Sequence, residues 1–477
     1  MNFETVIGLE VHAELKTKTK IYCGCPNEFG GETNTHCCPI CTGMPGVLPV
    51  LNKTVVDYAI KAGLATNCEI TKVGKQDRKN YFYPDLPKAY QTSQYDMPIC
   101  KNGYIEIDVD GVKKKIGITR IHIEEDAGKL LHEASDGITL VDYNRCGVPL
   151  IEIVSEPDMR SADDAKAFLE ALKAILEYTE VSDCKMQEGS LRCDVNVSVR
   201  PVGQKEFGTR TEMKNVNSFR AAYRAIQYEV KRQITEISAG NEIVQETRRW
   251  DDEKGITTSM RSKEEAHDYR YFPEPDLVSI VIDEDWVNKI KAEMPELPAS
   301  RVARYIKEYN LSEYDAEQIT LSKPLSDYFQ KCVDVGATPK AVSNWILSDI
   351  SKMLNEKNLT PDQIPFKAEN LAKLIALIEK GTISNTAGKK VIEALFEQDQ
   401  DPEEIVKKLG LVQISDEGEL AKIVAEIIDA NPQSVADYKA GKDKAVGFIV
   451  GQTMRATKGK GNPQIINKLI LEELAKR

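Results

Sequence analysis

Five of the eleven cysteines fall between residues 23 and 41. Cys23-Gly-Cys25 is followed by twelve residues and then Cys38-Pro-Ile-Cys41, with Cys37 adjacent. Two close pairs joined by a short loop can offer four thiolates to one tetrahedral ion, which suits zinc. Four protein ligands leave no open coordination position, so such a zinc would be structural, and zinc-hydrolase chemistry is not expected. Cys37 and Cys38 compete for the third place. Cys68, Cys100, Cys146, Cys184, Cys193 and Cys332 lie apart and read as core or surface thiols.

A second chemistry is written in alternation. In VIGLEVHAEL, Ile7, Leu9, Val11, Ala13 and Leu15 alternate with Gly8, Glu10, His12 and Glu14. Residues two apart share a strand face, so one face is apolar and the other carries Glu10, His12 and Glu14. SLRCDVNVSVR repeats the pattern with Arg192, Asp194, Asn196 and Ser198; LIEIVSE carries Glu152; HIEEDAG puts Glu124 and Glu125 on opposite faces; TRTEMKN puts Arg210, Glu212 and Lys214 on one. Each stripe alone is what a half-buried antiparallel sheet shows to water. Together they are rich in carboxylates, and neighbouring carboxylates repel unless a cation stands between them. Carboxylate oxygens suit Mg²⁺, which keeps waters and also binds substrate phosphates.

The segment DRKNYFYPDLPKAYQTSQYD, from Asp77 to Asp96, sets Arg78, Lys79 and Lys88 among Tyr81, Tyr83, Tyr90 and Tyr95. Cations beside aromatic rings serve phosphate, adenine or RNA. Its prolines and aspartates predict an ordered loop rather than a strand. No GxxxxGK[ST], GxSxG or HExxH pattern occurs, so a nucleotide would sit on an unusual frame.

These residues need a sheet and something to back it. Residues 1–295 mix alternating strands with turns and a few helices, which predicts an α+β cradle with a largely antiparallel sheet. Asp110-Gly111 marks a hairpin, and Ser218 is placed to cap the helix that follows it. The prolines of MPELPAS mark a boundary, with Ser300 as the expected cap of the next helix. Residues 296–405 read as an all-helical domain, and 406–477 as a small helical tail domain. The 477-residue chain carries a net charge of −12, yet Lys439 to Arg477 holds nine basic and three acidic residues. A basic end on an acidic body suggests a local nucleic-acid contact. No apolar run is long enough for a membrane span, the start lacks a signal-peptide pattern, and the cysteines do not form a disulfide framework. A cytoplasmic location is expected.

The ordered motifs FETVIGLEVHAEL, CxC…CPxCxGxPGxLP, DRKNYFYPDLPKAYQ, HIEEDAGK, PLIEIVSEPD, SLRCDVNVS and YRYFPEPDL, with the ending VQISDEGEL…GKDKAVGFIVGQTMRATKGKGNPQ, span the whole chain. In these the chain closely resembles the B-subunit family of the aspartyl/glutamyl-tRNA amidotransferases. The resemblance implies a heterotrimer with a larger amidase partner and a small third partner. It implies ATP- and Mg²⁺-dependent phosphorylation of the side-chain carboxylate of Glu-tRNA(Gln) or Asp-tRNA(Asn), then amidation by ammonia released from glutamine on the amidase. Carried over by residue, it implies His12, Glu125 and Glu152 as Mg²⁺ ligands. Glu10, Asp194 and Glu212 would line the same pocket, and Lys79 would meet the nucleotide phosphates. Cys23, Cys25, Cys38 and Cys41 match the zinc-bearing form of the family. Lys442, Lys444, Arg455, Lys458 and Lys460 are expected to contact tRNA.

Overall fold

The computed structural model describes residues 2–132, 137–262, 269–413, 417–439, 444–457 and 460–476. The chain divides into two compact units, Met1–Pro298 and Ala299–Arg477.

The first unit is built on a nine-stranded sheet. Its order is Ile256–Ser262, Glu246–Asp251, Thr211–Val216, Leu191–Pro201, Phe3–Glu14, Pro149–Ser155, Val112–Glu125, Cys100–Val109 and Glu69–Ile70. Every pairing is antiparallel except that of Thr211–Val216 with Glu246–Asp251. Asp110 and Gly111 take positive φ and close the hairpin between Val109 and Val112, with Asp108 Oδ1 accepting from the Gly111 N–H at 2.8 Å.

One sheet face is apolar. Ile7, Leu9, Val11, Ile121, Ile123, Ile151, Ile153, Val195 and Val197 are buried in a core shared with the helices Lys53–Ala65, Ala162–Tyr178 and Phe219–Ser238. Ser161 and Ser218 cap the second and third of these, accepting from the N–H groups of Asp164 and Ala221. A wholly buried Glu229 pins the third helix, accepting from Thr211, Thr257, Gln233 and Arg232. The helices cover one side, so the alternation leaves the other side polar.

Two local expectations are corrected. The Asp77–Asp96 segment is not a loop throughout: Asp77–Asn80 and Tyr90–Ser93 pair antiparallel in a small sheet joined by Phe272–Pro273, and the prolines occupy the turn between. Tyr90, Gln91 and Thr92 favour extended backbone, and the prolines sit outside the ladder. Ser300 is not a cap. The helix Pro298–Tyr309 starts two residues earlier, with proline at the position where its missing N–H costs least.

The second unit is helical. It holds one apolar core running from Tyr305 to Val406 and another from Leu420 to Leu474. Among the described residues, no helix is long and apolar enough to cross a membrane.

Candidate functional site: a carboxylate–histidine face beside a four-cysteine cluster

Register decides what meets on the polar face. His12 lies opposite Glu152 on one side and Arg192 on the other, and Glu152 lies opposite His122. Arg192, His12, Glu152 and His122 therefore form one row across four strands. Glu10 faces Asp194 in the next row. Glu124, two residues beyond His122, shares its face.

The side chains close on each other. His12 Nε2 lies 3.4 Å from Glu124 Oε1 and 3.5 Å from Glu152 Oε2. His122 Nε2 lies 3.1 Å from Glu152 Oε2 and 3.7 Å from Glu124 Oε2. Ligand atoms of His12, Glu124 and Glu152 all fall within 4.8 Å of one another, as one metal ion requires. Glu124 and Glu152 are buried; His12 keeps a fifth of its side chain open. Burial would raise Glu152, but the two imidazoles hold its carboxyl well below the usual range. Burial would lower His122, yet the charge of Glu152 and the bonds to Glu124 and Glu152 push it up to about 9.

Glu125 is not in this group. Strand parity sends it to the opposite side, where its carboxylate pairs with Lys88 and accepts the Thr92 N–H at 2.9 Å. The expected trio His12, Glu125 and Glu152 does not converge; His12, Glu124 and Glu152 do. In a Glu-Glu pair, types and spacing do not say which member faces the pocket, and only the register with Pro149–Ser155 does. His122 was likewise missed, although it shares the face of Glu124.

The other expected pocket residues do assemble. Glu10, His12, Lys79, Glu152, Asp194 and Glu212 line one cavity of about 440 Å³, together with Tyr95, Tyr269 and Tyr271. Glu10 accepts from Asn196 at 2.9 Å, and burial together with the Glu152 charge raises its pKa. Lys214 bridges Asp194 and Glu212, lying 2.9 Å from Glu212. That lysine relieves their mutual repulsion without a metal ion. Lys79 stands over the rings of Tyr269 and Tyr81, at 4.9 and 5.9 Å, and forms no ion pair among the described residues. Burial opposes its charge, but Glu124 and Glu152 hold its pKa up. It is a cation kept available for an anionic ligand. Glu14, the last of the opening stripe, faces Arg192 and Asp126 instead.

The cysteines form a separate cluster. The sulfurs of Cys23, Cys25, Cys38 and Cys41 lie within 4.8 Å of one another. Cys41 Sγ accepts the Cys38 N–H at 3.1 Å and lies 3.9 Å from Cys38 Sγ. Cys37 turns away and bonds to the Asn34 carbonyl oxygen at 3.2 Å, so Cys38 is the third member. A hydrogen bond from Cys23 draws the Cys41 thiol down to about 5, against the effect of burial, and the charge of Lys20 acts the same way. Four thiols with one already acidic fit a thiophilic divalent ion.

In the second unit, Arg455 and Lys460 are exposed. Lys444 begins the helix Lys444–Ala456, and Lys442 and Lys458 lie outside the described residues.

This arrangement, a strand-borne carboxylate pocket followed by a helical region, is that of a known catalytic class. Residues 5–288 match the family described as the GatB/GatE catalytic domain, and residues 327–474 match the GatB domain. Three proteins named as the B subunit of aspartyl/glutamyl-tRNA(Asn/Gln) amidotransferase match over all of both chains. They come from Caldicellulosiruptor bescii at 64% identity, Thermoanaerobacter sp. at 60% and Halalkalibacterium halodurans at 58%. The chain belongs to this family, the B subunits of the aspartyl/glutamyl-tRNA(Asn/Gln) amidotransferases.

Proposed function

We propose that this chain activates and amidates the side-chain carboxylate of Glu-tRNA(Gln), Asp-tRNA(Asn) or both, as an ATP-dependent carbon–nitrogen ligase. The observation that carries the proposal is the single cavity where paired carboxylates, two histidines and the available Lys79 converge. A carboxylate does not yield to ammonia, because oxide does not leave. Phosphorylation turns the departing group into phosphate, and the resulting acyl phosphate is then open to the amine.

His12, Glu124 and Glu152 would hold Mg²⁺, which when bound neutralises phosphate charge and keeps the reacting groups in line. Lys79 meets the transferred phosphate oxygens from the tyrosine side, and Tyr269 and Tyr271 give the nucleotide an aromatic wall. Glu10, raised by burial, is placed to exchange a proton at the pocket floor. Asp194 and Glu212 fix Lys214 there. An acyl phosphate also hydrolyses, so the half-enclosed cavity protects it from bulk water. The cysteine cluster would carry a structural zinc.

The chain has no amidase motif, so ammonia comes from an amidase partner, the A component, with a small C component completing a heterotrimer. We assign residues 1–295 to the catalytic cradle, 296–405 to a helical domain, and 406–477 to a tail domain. In the tail, Lys442, Lys444, Arg455, Lys458 and Lys460 contact the tRNA backbone. A translation enzyme of this kind works in the cytoplasm.

Co-expression with the amidase and the small partner, followed by assay on both mischarged tRNAs, tests the reading. Amide formation that needs ATP and Mg²⁺ and is lost in Glu124→Gln is expected. Full activity in Glu124→Gln overturns the metal assignment, and no activity on either tRNA overturns the function. A non-catalytic tRNA-binding module would explain the basic tail but not the converging carboxylates, which repel phosphates unless a cation masks them.

A further inference from the structure

Lys20 is a charged side chain that the chemistry above does not use. It is only 1% exposed. A buried ammonium is unfavourable unless it is paired or well hydrogen-bonded. Its Nζ donates to the His36 carbonyl oxygen at 2.6 Å and to Cys41 Sγ at 3.8 Å. No carboxylate pairs with it among the described residues. Glu125 lines the same cavity of about 160 Å³, but Lys88 and the Thr92 N–H occupy its carboxylate. The anion that balances Lys20 must therefore come from the cysteines. Four thiolates around a divalent ion carry a net charge of −2, which one fixed ammonium halves.

We propose that Lys20 is a positioning residue of the cysteine site, whose permanent charge retains the zinc by offsetting the excess negative charge of four thiolates. The assignment rests on the zinc reading given above. The backbone supports it: the Lys20 N–H donates to the Cys25 carbonyl oxygen at 3.1 Å, so one short segment fixes the cation and two of the four sulfurs together. Charge, rather than the length of the stem, is the property the site requires. A stem that only filled space would be replaced without loss by methionine.

The test uses the full chain co-purified with its partners in the complex. Zinc content is measured by elemental analysis, and zinc release by transfer to a chromogenic chelator, in wild type, Lys20→Met and Lys20→Arg. Lys20→Met should release zinc about 10- to 100-fold faster, the range seen when groups that support metal ligands are removed. Lys20→Arg, which keeps the charge, should restore most of the retention. Wild-type release from Lys20→Met overturns the proposal, as does equal loss from the Met and Arg variants, which would make the role one of packing. If Lys20→Met does not fold, Lys20→Gln keeps an N–H donor without the charge, and the same comparison of release rates decides. A wild-type complex from zinc-replete cells that contains no zinc overturns the zinc reading itself, which separates that failure from a failure of Lys20.

Discussion

The cysteine cluster and the carboxylate face are both built to hold a cation, in opposite ways. Cys23, Cys25, Cys38 and Cys41 come from one stretch of chain, lie within 4.8 Å of each other and leave no place for a further ligand. His12, Glu124 and Glu152 come from three strands, and their cavity of about 440 Å³ is open on the side of Lys79 and the tyrosines. The closed set suits an ion that holds structure. The open set suits one that shares its coordination with a substrate. The first is fixed by local spacing and the second by strand register.

The widest separation between the two regions should come from Glu124→Gln and Glu152→Gln. Each should lower the amidation rate on the order of 1,000-fold, the effect of several kcal/mol of lost charge stabilisation, while zinc content stays at the wild-type level. Manganese binding followed by EPR should weaken more in Glu124→Gln than in Glu125→Gln, and the reverse order would return Glu125 to the trio. Cys38→Ser should do the opposite: zinc is lost and the first unit melts several degrees lower by calorimetry. Cys37→Ser should keep both zinc and melting point, and zinc loss there would exchange the two cysteines.

A smaller effect is expected at the pocket edge. Lys79→Met should raise the KM for ATP about tenfold, equivalent to ~1.4 kcal/mol, with manganese binding unchanged. A pH series sharpens the account of the carboxylate face. His122 is raised from 6.5 to about 9 because its burial is outweighed by Glu152 and Glu124. A raised value means that the folded, metal-free chain gains stability from the imidazolium. That gain is full below pH 6.5 and lost as pH rises through about 9. The melting-point gap between wild type and His122→Gln, measured with chelator present, should therefore close over that interval. The smallest effect belongs to the scaffold behind both sites: Ser218→Ala should cost about 1 kcal/mol in denaturant unfolding, the usual value of a helix cap, with both metal sites intact.

Much of this was legible where the physics is local. The hairpin at Asp110-Gly111, the cap at Ser218 and the cysteine set depend on residues a few positions apart. So does the alternation that made Glu10, His12, Asp194 and Glu212 candidates, because strand period alone puts such residues on a common face. The Asp77–Asp96 segment was misread because its prolines signal a turn without saying that the flanks pair as strands. Ser300 was misread because Pro298 can itself open a helix.

By itself, the sequence determined which residue types were available, the period that sorts them onto faces, the thiolate set apart from the choice between Cys37 and Cys38, and, through its ordered motifs, the family. Tertiary structure alone decided that Glu124 rather than Glu125 meets His12 and Glu152, that His122 stands between the two carboxylates, that Lys214 neutralises Asp194 and Glu212, and that Lys20 ends on Cys41. The physical reason is distance along the chain. His12 and Glu152 are 140 positions apart, and only the pairing register of Phe3–Glu14 with Pro149–Ser155, set by the burial of one whole sheet face, brings their side chains to 3.5 Å.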